Sequence, residues 1–153
     1  MATRGKVGVG DIVRIPLNDG TFGYGHVLDE PLVAFLKHRD SGEVRNFHEL
    51  VERPVAFRIW VSNKPFKDRR WPVVGHVEPD AETLRPVPFF KQDAVSRKLA
   101  ITYNGADELP ATADDCRGME RAAVWEPEHV AERLLDYFEG RPNRWVESIR
   151  MKG

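Results

Sequence analysis

The sequence predicts an α+β fold, a mostly antiparallel, barrel-like β-sheet with one clear C-terminal helix. Three observations carry this. Short runs in the first two thirds of the chain alternate apolar and polar residues, the period of a half-buried strand. An Asn18-Asp19-Gly20 turn separates two of them, and glycine there supplies positive φ without steric cost. Near the C-terminus, one stretch repeats its apolar residues at helical spacing between a proline start and a glycine stop. Strands first and helix late is the order expected of a helix packed on an antiparallel sheet.

The first strand covers residues 11–17 and puts Val13, Ile15 and Leu17 on one face. The second, residues 21–28, puts Phe22, Tyr24 and His26 together, and its Gly23 and Gly25 suggest a bulge or tight bend of a small barrel. A third strand follows at residues 32–37. Over residues 55–61, Val55, Phe57, Ile59 and Val61 alternate with Ala56, Arg58 and Trp60, which predicts a fourth. In residues 70–77 Pro72 restricts any strand to an edge or a start. Pro86 and Pro88 force residues 85–90 to be extended. Residues 99–103 read as a strand and the polar residues 104–120 as a loop.

In the helix, Pro127 occupies the first turn beside Glu126 and Glu128, which favour the positive end of the dipole. Val130, Leu134 and Phe138 then repeat on one face with Leu135 beside them, and Gly140 stops the helix before Pro142. Residues 144–152 fit either strand or helix. With 153 residues and no repeat, low-complexity tract or linker, residues 1–153 read as one domain. Phe89 and Phe90 are expected in its core, with Lys91, Gln92 and Asp93 as a polar ledge.

Composition narrows the function classes. Hydrophobic residues at 41% and charged residues at 31% exclude a disordered chain. Lysine plus arginine number 23 against 24 acidic residues, so the basic excess of a typical nucleic-acid binder is missing. Cys116 is the only cysteine, which rules out an intrachain disulfide and cysteine-rich metal sites and reads as an ordinary thiol of a reducing compartment. The Met1-Ala2-Thr3-Arg4-Gly5-Lys6 start lacks the apolar core of a signal peptide. The apolar run Leu32-Val33-Ala34-Phe35-Leu36 is far too short for a membrane span. The expected location is the cytoplasm, with no membrane partner.

No motif for catalysis, cofactor or metal stands out. The five histidines are His26, His38, His48, His76 and His129, and His48-Glu49-Leu50-Val51-Glu52 misses the second imidazole of a zincin helix. Gly8-Val9-Gly10 and Gly23-Tyr24-Gly25 are not phosphate cradles, and Ser41, Ser62, Ser96 and Ser148 lie in no nucleophile elbow. Charge is nonetheless uneven. Lys64, Lys67, Arg69 and Arg70, with Asp68, form a basic stretch ending at Trp71. Asp107, Glu108, Asp114, Asp115 and Glu120, against Arg117, form an acidic one. Such runs are solvated loops unless a partner of opposite charge uses them.

Gly10-Asp11-Ile12-Val13-Arg14-Ile15-Pro16-Leu17 and Asp19-Gly20-Thr21-Phe22-Gly23-Tyr24-Gly25-His26-Val27-Leu28 together resemble the opening of the immunity protein 26 family of bacterial polymorphic toxin systems. Phe57-Arg58-Ile59-Trp60-Val61, Trp71-Pro72-Val73-Val74-Gly75 and Pro86-Val87-Pro88-Phe89-Phe90-Lys91-Gln92-Asp93 extend the similarity, as does Trp145-Val146-Glu147-Ser148. Residues 104–120 resemble it least. The resemblance implies a non-catalytic protein that binds and neutralises a cognate toxin, a nuclease among the candidates, in the cytoplasm during bacterial competition. It brings no catalytic residues, because the shared positions are mostly glycines, prolines and aromatics. Two other readings compete: a small β-rich nucleic-acid module using residues 64–71, and a hydrolase using the histidines. On the first reading the toxin-binding candidates are Asp107, Glu108, Asp114, Asp115 and Glu120, since an acidic surface could occupy a basic nuclease cleft in place of phosphate.

Overall fold

The structure is a computed structural model that describes residues 7–153, so Met1 to Lys6 and the leader reading placed on them lie outside the described residues. Strands β1 (Asp11–Pro16), β2 (Phe22–Asp29) and β3 (Leu32–Leu36) form a meander. A return segment leads to helix α1 (Phe47–Val51) and then β4 (Val55–Val61), which pairs antiparallel with β3. Helix α2 (Lys64–Lys67) precedes β5 (Val73–His76), which pairs with β1 at the sheet edge, the place Pro72 requires. Next come β6 (Phe89–Gln92), β7 (Leu99–Thr102), β8 (Leu109–Ala111), β9 (Glu120–Arg121) and β10 (Val124–Trp125). Helices α3 (Pro127–Glu139) and α4 (Arg144–Ser148) end the chain.

The strands make two open sheets, β10-β4-β3-β2-β1-β5 and β8-β7-β6-β9. The α+β expectation holds, but neither sheet closes on itself, so the barrel-like form does not arise. Pairing is antiparallel except where β10 joins β4 and β9 joins β6. Gly23 and Gly25 produce no bulge; β1 and β2 run in unbroken register, with Val13 opposite Gly25 and Ile15 opposite Gly23. They are notches instead. A Cβ on Gly25 would stand 2.9 Å from Val33 Cγ1, and one on Gly23 would stand 3.1 Å from Leu134 Cδ1.

The larger sheet is apolar on both faces. Val13, Ile15, Val27, Val33, Phe35 and Ile59 pack with Trp71 and with Val130 and Leu134 of α3. Ile12, Tyr24 and Leu36 face the other way, onto Leu50 of α1 and Val77. The smaller sheet joins the larger through Phe89, whose ring centroid lies 4.4 Å from that of Trp60. Phe89 and Phe90 are both buried, as expected of core residues. Gly140 caps α3 in the left-handed conformation (φ 69°), which only glycine takes without penalty. Of the ambiguous residues 144–152, only Arg144–Ser148 form a helix, started by Asn143 Oδ1, which accepts from the amides of Trp145 and Val146.

Residues 104–120 are not one loop. They contain β8, whose Leu109 and Ala111 stand opposite Ile101 and Leu99. Three residues around Pro110 are too few to display alternation.

Candidate functional site

The acidic segment is built from tight turns, each tied by a polar side chain. Asn104 Oδ1 accepts from the amides of Ala106 and Asp107, and its amide donates to Asp107 at 2.9 Å. Thr112 and Asp115 cap each other, amide to side chain in both directions. The Thr112 amide holds the Asp115 carboxyl below the usual carboxylate range, so Asp115 stays ionised. Asp107, Glu108, Asp114 and Asp115 are exposed. Asp114 pairs with Arg117 at 2.6 Å and Glu108 lies 3.8 Å from Lys91, so the surface is partly neutralised. On the same part of the chain Leu109 is 65% exposed and Tyr103 52%, large side chains beside charged ones.

Glu120 differs from the other four. Its carboxylate turns inward and accepts two bonds from the Arg133 guanidinium, at 3.0 and 2.7 Å. That guanidinium is nearly buried and lies 3.8 Å over the Phe57 ring and 4.9 Å from the Trp125 ring. The pair ties the smaller sheet to α3 and to the larger sheet. Arg133 was detectable in principle, because it shares the helical face of Val130 and Leu134.

The basic stretch is largely spoken for. Lys64 pairs with Glu126, and Arg70 pairs with Asp68 and Glu128. Of the four cations in this stretch, Lys67 and Arg69 make no ion pair among the described residues. That leaves little free charge for a phosphate backbone.

His26 and His76 meet beside Gly10 and Val77, and the other histidines lie apart from them. His26 is buried with Nε2 2.7 Å from the Val77 carbonyl, and His48 is exposed on α1. His76 contacts Asp11 and Glu78, and His129 stacks on Trp145 with ring centroids 3.6 Å apart. Cys116 is buried; burial and then the nearby Asp115 charge push its thiol pKa up, away from a reactive thiolate. Among the described residues no cluster of metal-ligating side chains occurs, and no helix is long and apolar enough to cross a membrane.

One grouping escaped the sequence reading. A cleft of about 310 Å³ is lined by Arg14, Tyr24, Glu43, Val44, Phe47 and Val74. At its floor the Tyr24 hydroxyl donates to Asp40, which also contacts His38 Nε2 at 2.9 Å. Burial, reinforced by Asp40, pushes the Tyr24 pKa up to about 12, so the phenol remains a donor. Arg14 stacks on Phe22 and donates to the Gly42 carbonyl. The grouping holds the return after β3 against β2, to which Asp40 is bridged at Phe22. No local motif announces it, since strand pairing alone brings these residues together.

The family model of immunity protein 26 matches residues 8–99, well over half of the chain. The chain belongs to that family. The match takes in β1 to β6 and ends at the first residue of β7. In this immunity protein 26 member the acidic segment, α3 and the Trp145-Val146-Glu147-Ser148 stretch therefore lie beyond the matched residues. No curated protein and no solved structure matches the chain.

Proposed function

We propose that the chain is a non-catalytic immunity protein, one domain over residues 1–153, that binds and neutralises a cognate polymorphic toxin in the cytoplasm. Membership of the immunity protein 26 family is the observation that carries this reading. Occlusion by binding also suits the buried, poorly ionised thiol of Cys116.

The capture surface is the acidic segment. Exposed Asp107, Glu108, Asp114 and Asp115 would steer a basic toxin cleft, while Leu109 and Tyr103 provide the apolar anchors from which affinity comes. Glu120 holds the C-terminal end of the segment in place through Arg133. The segment lies outside the family match, as suits a surface adapted to one toxin.

The test is co-expression with any polymorphic toxin domain that sequencing of the gene's neighbourhood identifies. Rescue of growth, together with a stoichiometric complex on co-purification, supports the proposal. Rescue by sub-stoichiometric amounts in a purified toxin assay would mean turnover and would overturn it.

A further inference from the structure

Two histidines at the end of the edge strand place opposite demands on protonation. His76, at the end of β5, lies between two carboxylates: Nδ1 is 2.9 Å from Asp11 Oδ1 and Nε2 is 2.6 Å from Glu78 Oε1. An ionised carboxylate only accepts, so both ring nitrogens must donate, and only imidazolium does that. His26, on β2, is 3% exposed, and its Nε2 donates to the Val77 carbonyl at 2.7 Å. One donor suffices there, and a buried imidazole favours the uncharged form.

Both rings close on the same short stretch. The Val77 amide donates to the Gly10 carbonyl at 2.9 Å, and the Gly10 amide donates to Val27 at 2.8 Å. Gly10 has φ +95°, and a Cβ there would stand 2.8 Å from the His76 ring. The Gly8 amide holds the second oxygen of Asp11. On the far side Gly75 carries the Phe47 ring of α1, so β5 also seats that helix. Asp11, Glu78, His76 and His26 are the titratable groups that face one another; Gly10, Val77 and Phe47 add no charge.

We propose that His76 and His26 form a pH-sensitive latch holding edge strand β5 on the sheet, closed only while His76 is imidazolium and His26 is neutral. Hydrogen bonds to Asp11 and then Glu78 raise the pKa of His76. Its contribution is complete below the ordinary histidine value of about 6.5 and is lost as pH rises through the raised value. Burial, ahead of the neighbouring His76 charge, lowers the pKa of His26. Its contribution is complete above about 6.5 and is lost as pH falls through the lowered value. The two limbs enclose a window around the ordinary histidine value. Outside it β5 opens more often, loosening the seat of Phe47 and the edge of β1.

The experiment is amide hydrogen exchange at Val73–His76 and Val77, resolved by NMR from about pH 5 to about pH 8 and corrected for the intrinsic pH dependence of exchange. Protection should peak inside the window and fall on both sides, each limb shallower than the roughly tenfold per pH unit that is the limit for one linked proton, because His76 is half exposed. His76→Gln should remove the alkaline limb alone. His26→Gln, which keeps a donor for Val77, should remove the acid limb alone. If His26→Gln does not fold, ring-proton titrations of the unaltered protein replace it, with His26 titrating below and His76 above the free imidazole. Flat protection across the range, or an alkaline limb that survives His76→Gln, would overturn the latch.

Discussion

Arg133→Met removes the cation on which Glu120, Phe57 and Trp125 converge. Taking one partner from a buried ion pair costs about 3–5 kcal/mol, because the other charge is left desolvated and unpaired. The side chain of Glu120 keeps 28% exposure, so water recovers part of that, and about 3 kcal/mol is expected. Methionine retains some contact with the two rings, which limits the loss of stacking. For a domain of this size about 3 kcal/mol lowers Tm by about 6–12 °C. Urea denaturation of Arg133→Met, Glu120→Met and the double variant forms a cycle. The double variant should regain most of the loss, since two apolar side chains of similar volume replace a costly pair without leaving a charge behind. A single-variant loss below about 1 kcal/mol, the level of an exposed pair, would refute the reasoning. So would a double variant no more stable than Arg133→Met.

Reversing Asp107, Glu108 and Asp114 to lysine should leave Tm nearly unchanged and slow toxin association, most strongly at low salt; stopped-flow capture at two ionic strengths checks it, and an unchanged low-salt rate moves the interface elsewhere. Phe89→Ala should cost about 3–5 kcal/mol, because the ring is fully buried against Trp60; thermal unfolding reads this, and an unchanged Tm would contradict the packing. Gly25→Ala should cost about 1–3 kcal/mol through overpacking against Val33 and Val13, measured as a shifted urea midpoint at constant slope.

Elements long enough to repeat a period were legible. The alternation in β4 and the Pro127-to-Gly140 frame of α3 survive nearly residue for residue. Helices α1 and α2, and strands β8 to β10, run from two to five residues, too short for periodicity to rise above composition. Asn46, which accepts from the Glu49 amide at the start of α1, was the available clue there. Within the acidic segment the sequence displays five similar carboxylates. Only the fold separates Glu120 from the rest, because Arg133 lies thirteen residues further on, on a helix that packs back over the sheets. The Tyr24–Asp40–His38 grouping was equally hidden, since it depends on how the return after β3 lies beside β2.

A sheet oily on both sides lacks the usual safeguard of its alignment. Where one face meets water, sliding a strand by a single residue strands its apolar side chains outside, and the error is rejected at once. In β1–β3 the same slip would exchange one greasy surface for the other and cost little by hydrophobicity alone. Glycine supplies the discrimination instead. Gly25 sits opposite both Val13 and Phe35, and a one-residue slide would bring Tyr24 or His26 into a gap that has no room for a methyl group. Filling that notch would therefore erode the fidelity of strand alignment during folding as well as the depth of the native minimum. Misaligned, aggregation-prone conformers should then accumulate on refolding even where the native protein remains stable.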